Sequence, residues 1–249
     1  MPDALSVCPT FQIGPLAVPA YGALLLLALI VGVAAAWASA RRQGYQGEHT
    51  LTLVFAAFFG GVLGAKIPVW VMHAGALAGA GDPLAWLSGR TIIGGLIGGT
   101  LAVLLARRAL RLALPSGNVF APALALALAV GRWGCFFGGC CGGKVTAPSL
   151  GVRLGDGLPH YPTQIIESLF ALGLFVYLKV AERRSPPPGS LWRTFMLAYF
   201  TFRFFIEFLR TDTPIAFGLT LAQLAALGVV AYYSLIARPR AGRREAAYE

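Results

Sequence analysis

Residues 131–144 read GRWGCFFGGCCGGK. They end an apolar run, residues 118–137, with one arginine, then carry three cysteines and six glycines into a short polar stretch. An arginine at mid-helix in hydrocarbon costs ~2.5–3.5 kcal/mol on insertion scales, so an arginine in such a run points to function first. Glycines allow another backbone to approach closely, and the thiols bring a reactive chemistry of their own.

Working outward, the whole chain has the composition of a membrane protein. Of its 249 residues 57% are hydrophobic and only 12% charged, with a mean hydropathy of +0.70. That leaves too little polar surface to cover a soluble globule. A membrane-crossing helix needs roughly 20 mostly apolar residues, and seven segments qualify: 16–39, 50–73, 90–106, 118–137, 161–181, 191–209 and 217–237. The expected fold is therefore all-α and polytopic, with about seven transmembrane helices in one domain covering residues 1–249.

Basic residues orient it, because positive charge is retained on the cytoplasmic side. With the N-terminus outside, the inner loops and tail hold Arg41, Arg42, Arg107, Arg108, Arg111, Lys179, Arg183, Arg184, Arg193, Arg238, Arg240, Arg243 and Arg244, against Arg90, Lys144, Arg153 and Arg210 outside. This arrangement puts the C-terminus in the cytoplasm. The net charge of +10 then reflects topology and attraction to anionic headgroups. Nucleic acid is not an expected partner, since the basic residues cluster at helix ends and do not line a face with aromatics. The N-terminus lacks the basic start and apolar core of a cleavable signal. "ALSVC", ending at Cys8, only superficially resembles a lipoprotein processing box, and the first helix reads as an uncleaved signal anchor.

The longest polar stretches are residues 138–160, outside, and the proline-rich inner turn AERRSPPPGS, 181–190. FFGGVLGAK (58–66) and GGLIGGT (94–100) space small residues as in close helix packing.

Five ionisable residues fall within the apolar segments: Lys66, Arg132, Glu167, Arg203 and Glu207. In YFTFRFFIEFLRTD (199–212), Arg203, Glu207 and Arg210 stand at i, i+4 and i+7, on one face of the sixth helix. Glu207 either simply neutralises Arg203 or shares a charged stripe built for a ligand. The planar donor fork of arginine suits phosphate oxygens, so Arg132, Arg203 and Arg210 together would form a phospholipid headgroup site, with snorkelling to the interface the other reading of Arg210. The fifth helix opens HYPTQIIES, with Pro162 in a position that tolerates a missing N–H. Gln164, Glu167 and Ser168 share a face, which either binds a hydroxyl-rich headgroup or cross-links helices. Tyr21, in the first helix, by itself reads as an interfacial anchor or packing residue.

Taken together, AYG (20–22), GGLIGG (94–99), GRWGCFFGGCCGGK, YPTQIIES (161–168) and FRFFIEFLR (202–210) occur in the order and spacing of the prolipoprotein diacylglyceryl transferase family. The chain resembles a divergent, cysteine-containing member over about residues 15–235. The resemblance implies a multi-pass enzyme of the bacterial cytoplasmic (inner) membrane. Its implied reaction moves a diacylglyceryl group from phosphatidylglycerol to the thiol of a prolipoprotein lipobox cysteine, leaving a thioether and glycerol phosphate. Phosphatidylglycerol, the lipobox peptide and membrane lipids are the implied partners, and no cofactor is expected. Arg203, Tyr21, Glu207 and Cys135 are the candidate catalytic residues; Arg132, Arg210, Gln164 and Glu167 are candidates for substrate binding.

The sequence also departs from the family pattern. Family members read HGG where this chain has Ile93 before its glycine run, and isoleucine cannot move a proton. The signature G-R-x-G-N-F-x-N-G-E meets Cys135 at the first asparagine, Gly138 at the second and Cys140 at the glutamate. Tyr161 replaces a histidine, with His160 one position earlier. Cys135, Cys140 and Cys141 lie at the outer mouth, where a disulfide from Cys135 to either of the others is feasible and one between adjacent Cys140 and Cys141 is disfavoured by geometry. Beside Arg132 and Lys144 a thiolate would be favoured and nucleophilic. Thiolates with His160 are ligand types for zinc or copper(I), but CxxxxCC is a weak spacing signal and no metal is assigned. Two function classes follow: a lipid transferase, for prolipoproteins or another acceptor, and a thiol-redox or metal-handling membrane protein on the same scaffold.

Overall fold

The computed structural model describes residues 10–13, 16–44, 47–79, 91–111, 117–154 and 156–235. Cys8, Arg90, Arg238, Arg240, Arg243 and Arg244 lie outside the described residues. Two short antiparallel strands, β1 (Thr10–Ile13) and β2 (Leu16–Pro19), lead into helix α1 (Ala20–Arg42). Then follow α2 (Gly47–Gly79), α3 (Ile92–Ala109) and α4 (Gly117–Phe137). A two-strand hairpin, β3 (Val152–Arg153) and β4 (Pro159–His160), precedes α5 (Thr163–Glu182). Helix α6 (Ser190–Ile206) tightens into a 3₁₀ turn, Glu207–Leu209, and the hairpin β5 (Pro214–Ala216) and β6 (Leu219–Thr220) leads to α7 (Leu221–Leu235).

This is an all-α membrane protein with multiple spans. Among the described residues, α1 to α5 are long and apolar enough to cross a bilayer. Helix α6, with 17 residues, falls short of that length, and α7 is described over 15 residues, from Leu221 to Leu235. The cause is local. Helix α6 gives up α-geometry at Glu207, where its charged residues bond sideways, and α7 cannot start before Leu221 because residues 214–220 pair as a hairpin. The first helix starts later than expected for a similar reason, since Leu16–Pro19 pair with Thr10–Ile13.

Burial is inverted relative to a soluble fold. Leu26, Ile30, Phe59, Val71, Leu105, Leu169 and Phe205 are exposed, while Arg132, Gln164, Glu167, Arg203 and Glu207 are buried. Lipid can cover the first group, and it cannot satisfy the second. Arginines close the last turns of α1 (Arg41, Arg42) and α3 (Arg107, Arg108), and Lys179 that of α5, where cations oppose the negative end of the helix dipole.

The described chain packs as two compact units. One comprises α2 and α3. Here the glycine runs meet, with a Cβ built on Gly64 landing 2.7 Å from the Cα of Gly98 and 2.5 Å from the carbonyl oxygen of Gly94. Thr91 caps α3 by accepting a hydrogen bond from Gly94 N, and its own N–H donates to Ala65 O at 3.0 Å. Lys66 is buried in α2, and Ile93 is the second residue of α3.

The other unit comprises α1 as far as Ser39 together with α4 to α7. Half of α4's apolar window is buried, more than in any other candidate span. Its glycines face α1: a Cβ on Gly134 would meet Tyr21 O and Leu24 Cβ at 3.4 Å, and one on Gly138 would meet the Tyr21 ring at 3.0 Å. At the other end of α4 the Asn118 amide donates to Pro187 O at 3.0 Å and accepts from Leu191 N at 3.0 Å, tying the proline-rich turn to the helix starts. The charged side chains collect at the opposite end, where the end of α4, the start of α5 and the end of α6 come together.

Candidate active site

Arg132, in the last turns of α4, projects onto α5, where its Nη2 meets Glu167 Oε2 at 2.5 Å. Both side chains are almost wholly buried. The second oxygen of Glu167 accepts from Tyr199 Oη of α6 at 2.9 Å. Arg132 and Arg203 both interact electrostatically with Tyr199, so the two guanidinium groups share this hydroxyl as a neighbour.

Arg203 Nη1 meets Glu207 Oε2 at 2.5 Å, and Arg210 Nε approaches the same oxygen at 3.4 Å. Glu207 Oε1 accepts from Thr220 Oγ1 at 2.9 Å. Thr220 in turn caps α7 in a reciprocal box with Gln223, each side chain accepting from the other's backbone N–H. Arg210 lies in extended backbone just past the 3₁₀ turn. Its head reaches inward to Cys141 O at 3.1 Å and to Asp212 Oδ2 at 3.0 Å. These contacts hold it to the cluster instead of releasing it to the interface.

Three arginines therefore face two buried carboxylates, Glu167 and Glu207, with Asp212 half-exposed at the rim. The buried charges balance, Arg132 and Arg203 against Glu167 and Glu207, and part-buried Arg210 is matched by Asp212. Among the described residues Arg132 Nε and Arg203 Nε are buried without a hydrogen-bond partner. A buried donor left unmade costs about 1–3 kcal/mol, more when charged. Two such donors, both on guanidinium groups, suit anionic oxygens such as those of a phosphodiester.

The polar face of α5 divides its work. Ser168 Oγ donates to Ala129 O at 2.7 Å and so cross-links α5 to α4. Gln164 Nε2 donates to Cys140 O at 2.7 Å and Thr163 Oγ1 to Cys141 O at 2.9 Å, which anchors the thiol-bearing loop on the start of α5. Gln164 Oε1 remains buried without a partner among the described residues. Pro162 stands one position before α5, and its carbonyl accepts from Ile165 N and Ile166 N.

The sulfurs of Cys135, Cys140 and Cys141 are free thiols lying within 4.8 Å of one another. The loop is folded back by Gly139 and Cys141, both at positive φ (60° and 63°). Tyr21 borders the same loop through its contact with Gly138. Every candidate residue of this unit, Tyr21, Arg132, Cys135, Gln164, Glu167, Arg203, Glu207 and Arg210, thus lies at one end of the α1 and α4–α7 unit. Sequence reasoning missed Tyr199 and Thr220. Tyr199 was legible, since 199, 203 and 207 repeat every four residues on one helix face. Thr220 was not, because a hairpin brings it to Glu207.

Outside the spans, the His160 ring bonds Gly143 O through Nδ1 and Asp156 Oδ2 through Nε2, both at 2.8 Å. Both partners are acceptors, so only the doubly protonated ring satisfies both. Gly143 O and then Asp156 accordingly raise the histidine pKa, and the His160 ring lowers that of Asp156. The tie is complete below the ordinary histidine value of about 6.5 and above the ordinary carboxylate value of about 3.9. It weakens as pH rises through the raised histidine value. The effect is small, because Asp156 is half-exposed and the pair lies near the surface. Amide protection around residues 143–160, corrected for intrinsic exchange, is expected to fall from pH 6 to pH 8 and to be pH-independent in His160→Gln; equal pH dependence in both proteins would refute it.

The sequence profile of the family described as prolipoprotein diacylglyceryl transferase matches residues 9–237. Among curated relatives, the phosphatidylglycerol–prolipoprotein diacylglyceryl transferase of Vibrio vulnificus is 34% identical over 213 residues, 80% of this chain and 77% of its own. That of Pseudoalteromonas atlantica is 33% identical over 208 residues, covering 80% of this chain and 74% of its own. That of Clostridium tetani is 29% identical over 210 residues, 81% and 84% of the two chains.

Proposed function

Because the chain belongs to the prolipoprotein diacylglyceryl transferase family, and is thus a transferase, we propose that it transfers the diacylglyceryl group of phosphatidylglycerol to the thiol of a lipobox cysteine. The products are a thioether on the prolipoprotein and glycerol phosphate. The setting is the bacterial cytoplasmic membrane, with seven crossings, the N-terminus outside and the reacting end of the helices at the outer leaflet.

The observation that carries this reading is the pair of unpartnered buried donors, Arg132 Nε and Arg203 Nε, on guanidinium groups that both interact with Tyr199. Displacement at the glyceryl carbon breaks a C–O bond and places the electron pair on a phosphate. Fixed cations aimed at that phosphate lower the barrier because they need no reorganisation as charge develops. Arg132 and Arg203 take this role. Glu167 and Glu207 hold the two guanidinium groups, Arg210 binds the headgroup from the rim, and Gln164 Oε1 accepts a headgroup hydroxyl. Tyr21 shapes the entry beside the loop, and Cys135 lies next to the reacting atoms. With Ile93 at the family's histidine position, the proton of the acceptor thiol has to leave by another route.

The test is mass spectrometry of a lipobox peptide incubated with the purified protein and phosphatidylglycerol in detergent under reducing conditions, with glycerol phosphate followed in parallel. A diacylglyceryl increment on the peptide cysteine is expected. Absence of both products while a family enzyme works alongside would overturn the reading. The proximity of the three sulfurs favours one second reading, a thiol-redox or metal-handling protein on this scaffold. That reading requires Cys135→Ser or Cys140→Ser to remove function and Arg203→Ala to be tolerated.

A further inference from the structure

We propose that Cys135, Cys140 and Cys141 form a zinc site whose fourth position takes the acceptor thiol. The inference rests on the transferase reading and says how the acceptor becomes a nucleophile. Three sulfurs bound to zinc at ~2.3 Å in tetrahedral geometry stand about 3.8 Å apart. The three thiols already lie within 4.8 Å of one another, so side-chain rotation closes the remaining gap.

The backbone around them is shaped for this convergence. Cys141 sits at φ 63°, a left-handed conformation that a residue with a Cβ rarely adopts. Gly142 follows it and Gly139, itself at φ 60°, precedes Cys140, so the chain doubles back across the two cysteines. The loop is fixed from outside by three donors to its carbonyls: Gln164 to Cys140, and Thr163 and Arg210 to Cys141. Those bonds hold the backbone, and among the sulfurs Cys140 Sγ also donates to Cys135 O at 3.6 Å, a weak bond that a metal would replace. Preorganised ligand atoms with locked supports are what a metal site requires.

The charges also fit. Three thiolates and Zn²⁺ sum to −1, and an acceptor thiolate makes −2. Arg132 interacts with Cys135 and Cys141, and Arg210 with Cys141, so two cations face the sulfur cluster. Three thiolate donors leave zinc with one open position, the arrangement of a reactive site.

The chemistry answers a need visible in the cluster. Both buried carboxylates are committed to arginines, Glu167 to Arg132 and Glu207 to Arg203, and His160 uses both ring nitrogens. None of these is a ready base for a thiol. Coordination to zinc deprotonates a thiol outright, and its proton passes to water. The bound sulfur then forms the C–S bond to the glyceryl carbon. The C–O bond to phosphate breaks, and glycerol phosphate leaves with the electron pair against Arg132 and Arg203. The product thioether is neutral and a poorer ligand, so it departs and the position reopens.

The test uses the full chain, purified in detergent under reducing conditions and equilibrated with Zn²⁺, followed by elemental analysis. Cobalt(II) titration of the chelator-treated protein supplies a thiolate-to-metal absorption. One zinc per chain and a tetrahedral cobalt spectrum are expected. Changing a ligand should weaken binding at least as much as changing its supports, on the order of 100-fold, in each of Cys135→Ser, Cys140→Ser and Cys141→Ser. Absence of stoichiometric zinc in the reduced wild type, retention of zinc by the triple serine variant, or a Cys135–Cys140 disulfide persisting under reductant would each overturn the site. The wild-type measurements stand even if a variant fails to fold. Lipobox-peptide transfer measured alongside separates the two claims. Transfer insensitive to chelation refutes the zinc role and leaves the transferase reading intact, whereas bound zinc without transfer refutes the transferase reading and leaves the metal site.

Discussion

Arg203→Ala gives a protein that still folds in detergent but releases glycerol phosphate from phosphatidylglycerol at least ~10²-fold more slowly, the scale seen when one preorganised donor to a developing anion is removed. Arg132→Ala loses turnover to the same degree and loses stability as well. The difference lies in what each arginine leaves behind. Without Arg203, Glu207 keeps Thr220 at 2.9 Å and Arg210 at 3.4 Å. Without Arg132, Glu167 is left buried with Tyr199 alone as its partner among the described contacts. Breaking a buried pair on one side typically costs about 3–5 kcal/mol, because the remaining charge is uncompensated. Adding Glu167→Gln to Arg132→Ala removes that charge, so the double variant should recover most of the stability and none of the activity. Thermal unfolding in detergent and phosphate release measured on the same preparations check both halves. Full turnover in Arg203→Ala would end the phosphate-clamp account, and equal destabilisation by the two single substitutions would refute the asymmetry.

This asymmetry was only partly legible in the sequence. The charged stripe of the sixth helix follows from i, i+4, i+7 spacing, and so does the pairing of Glu207 with Arg203. What spacing cannot supply is the third dimension. Glu167 was read as one member of a polar face, and its bond to Arg132 joins helices 35 positions apart in sequence. Thr220 reaches Glu207 because β5 and β6 reverse the chain, a turn hidden inside what hydropathy reads as a continuous seventh span. Hydropathy also smoothed over β2, the four residues Leu16–Pro19 that pair as a strand ahead of α1. Cys135 and Cys140 were weak as a ligand pattern because CxxxxCC approaches convergence only when the chain doubles back, and that depends on positive φ at Gly139 and Cys141. Composition therefore identified the solvent and the elements, while the site's shared contacts depended on tertiary geometry.

The α2–α3 pair should collapse on a single methyl at the right glycine. Without water to squeeze helices together, association within a bilayer rests on close packing of backbones, and small residues at the crossing are what permit it. At Gly98 an added Cβ would lie 2.7 Å from Gly64 Cα and 3.1 Å from Gly64 N, and still closer to Gly60 O. These are backbone atoms of a packed helix, which cannot rotate away as a side-chain tip would. The helices would have to separate along the crossing, losing the contacts at Gly60, Gly64 and Gly94 together. Overpacking ordinarily costs about 1–3 kcal/mol, and Gly98→Ala is expected at or above the top of that range, with Gly98→Leu failing to accumulate as folded protein. Gly61→Ala is the control. Its Cβ would sit 3.6 Å from Gly95 O, ordinary contact distance, and alanine favours the helix by about 1 kcal/mol over glycine, so it should be neutral or stabilising. Thermal unfolding of the two alanine variants in the same detergent decides the matter. If both are lost, general helix destabilisation is at work; if Gly98→Ala unfolds like the parent protein, the backbones do not approach as closely as described and the glycine runs are not the reason the two helices pack.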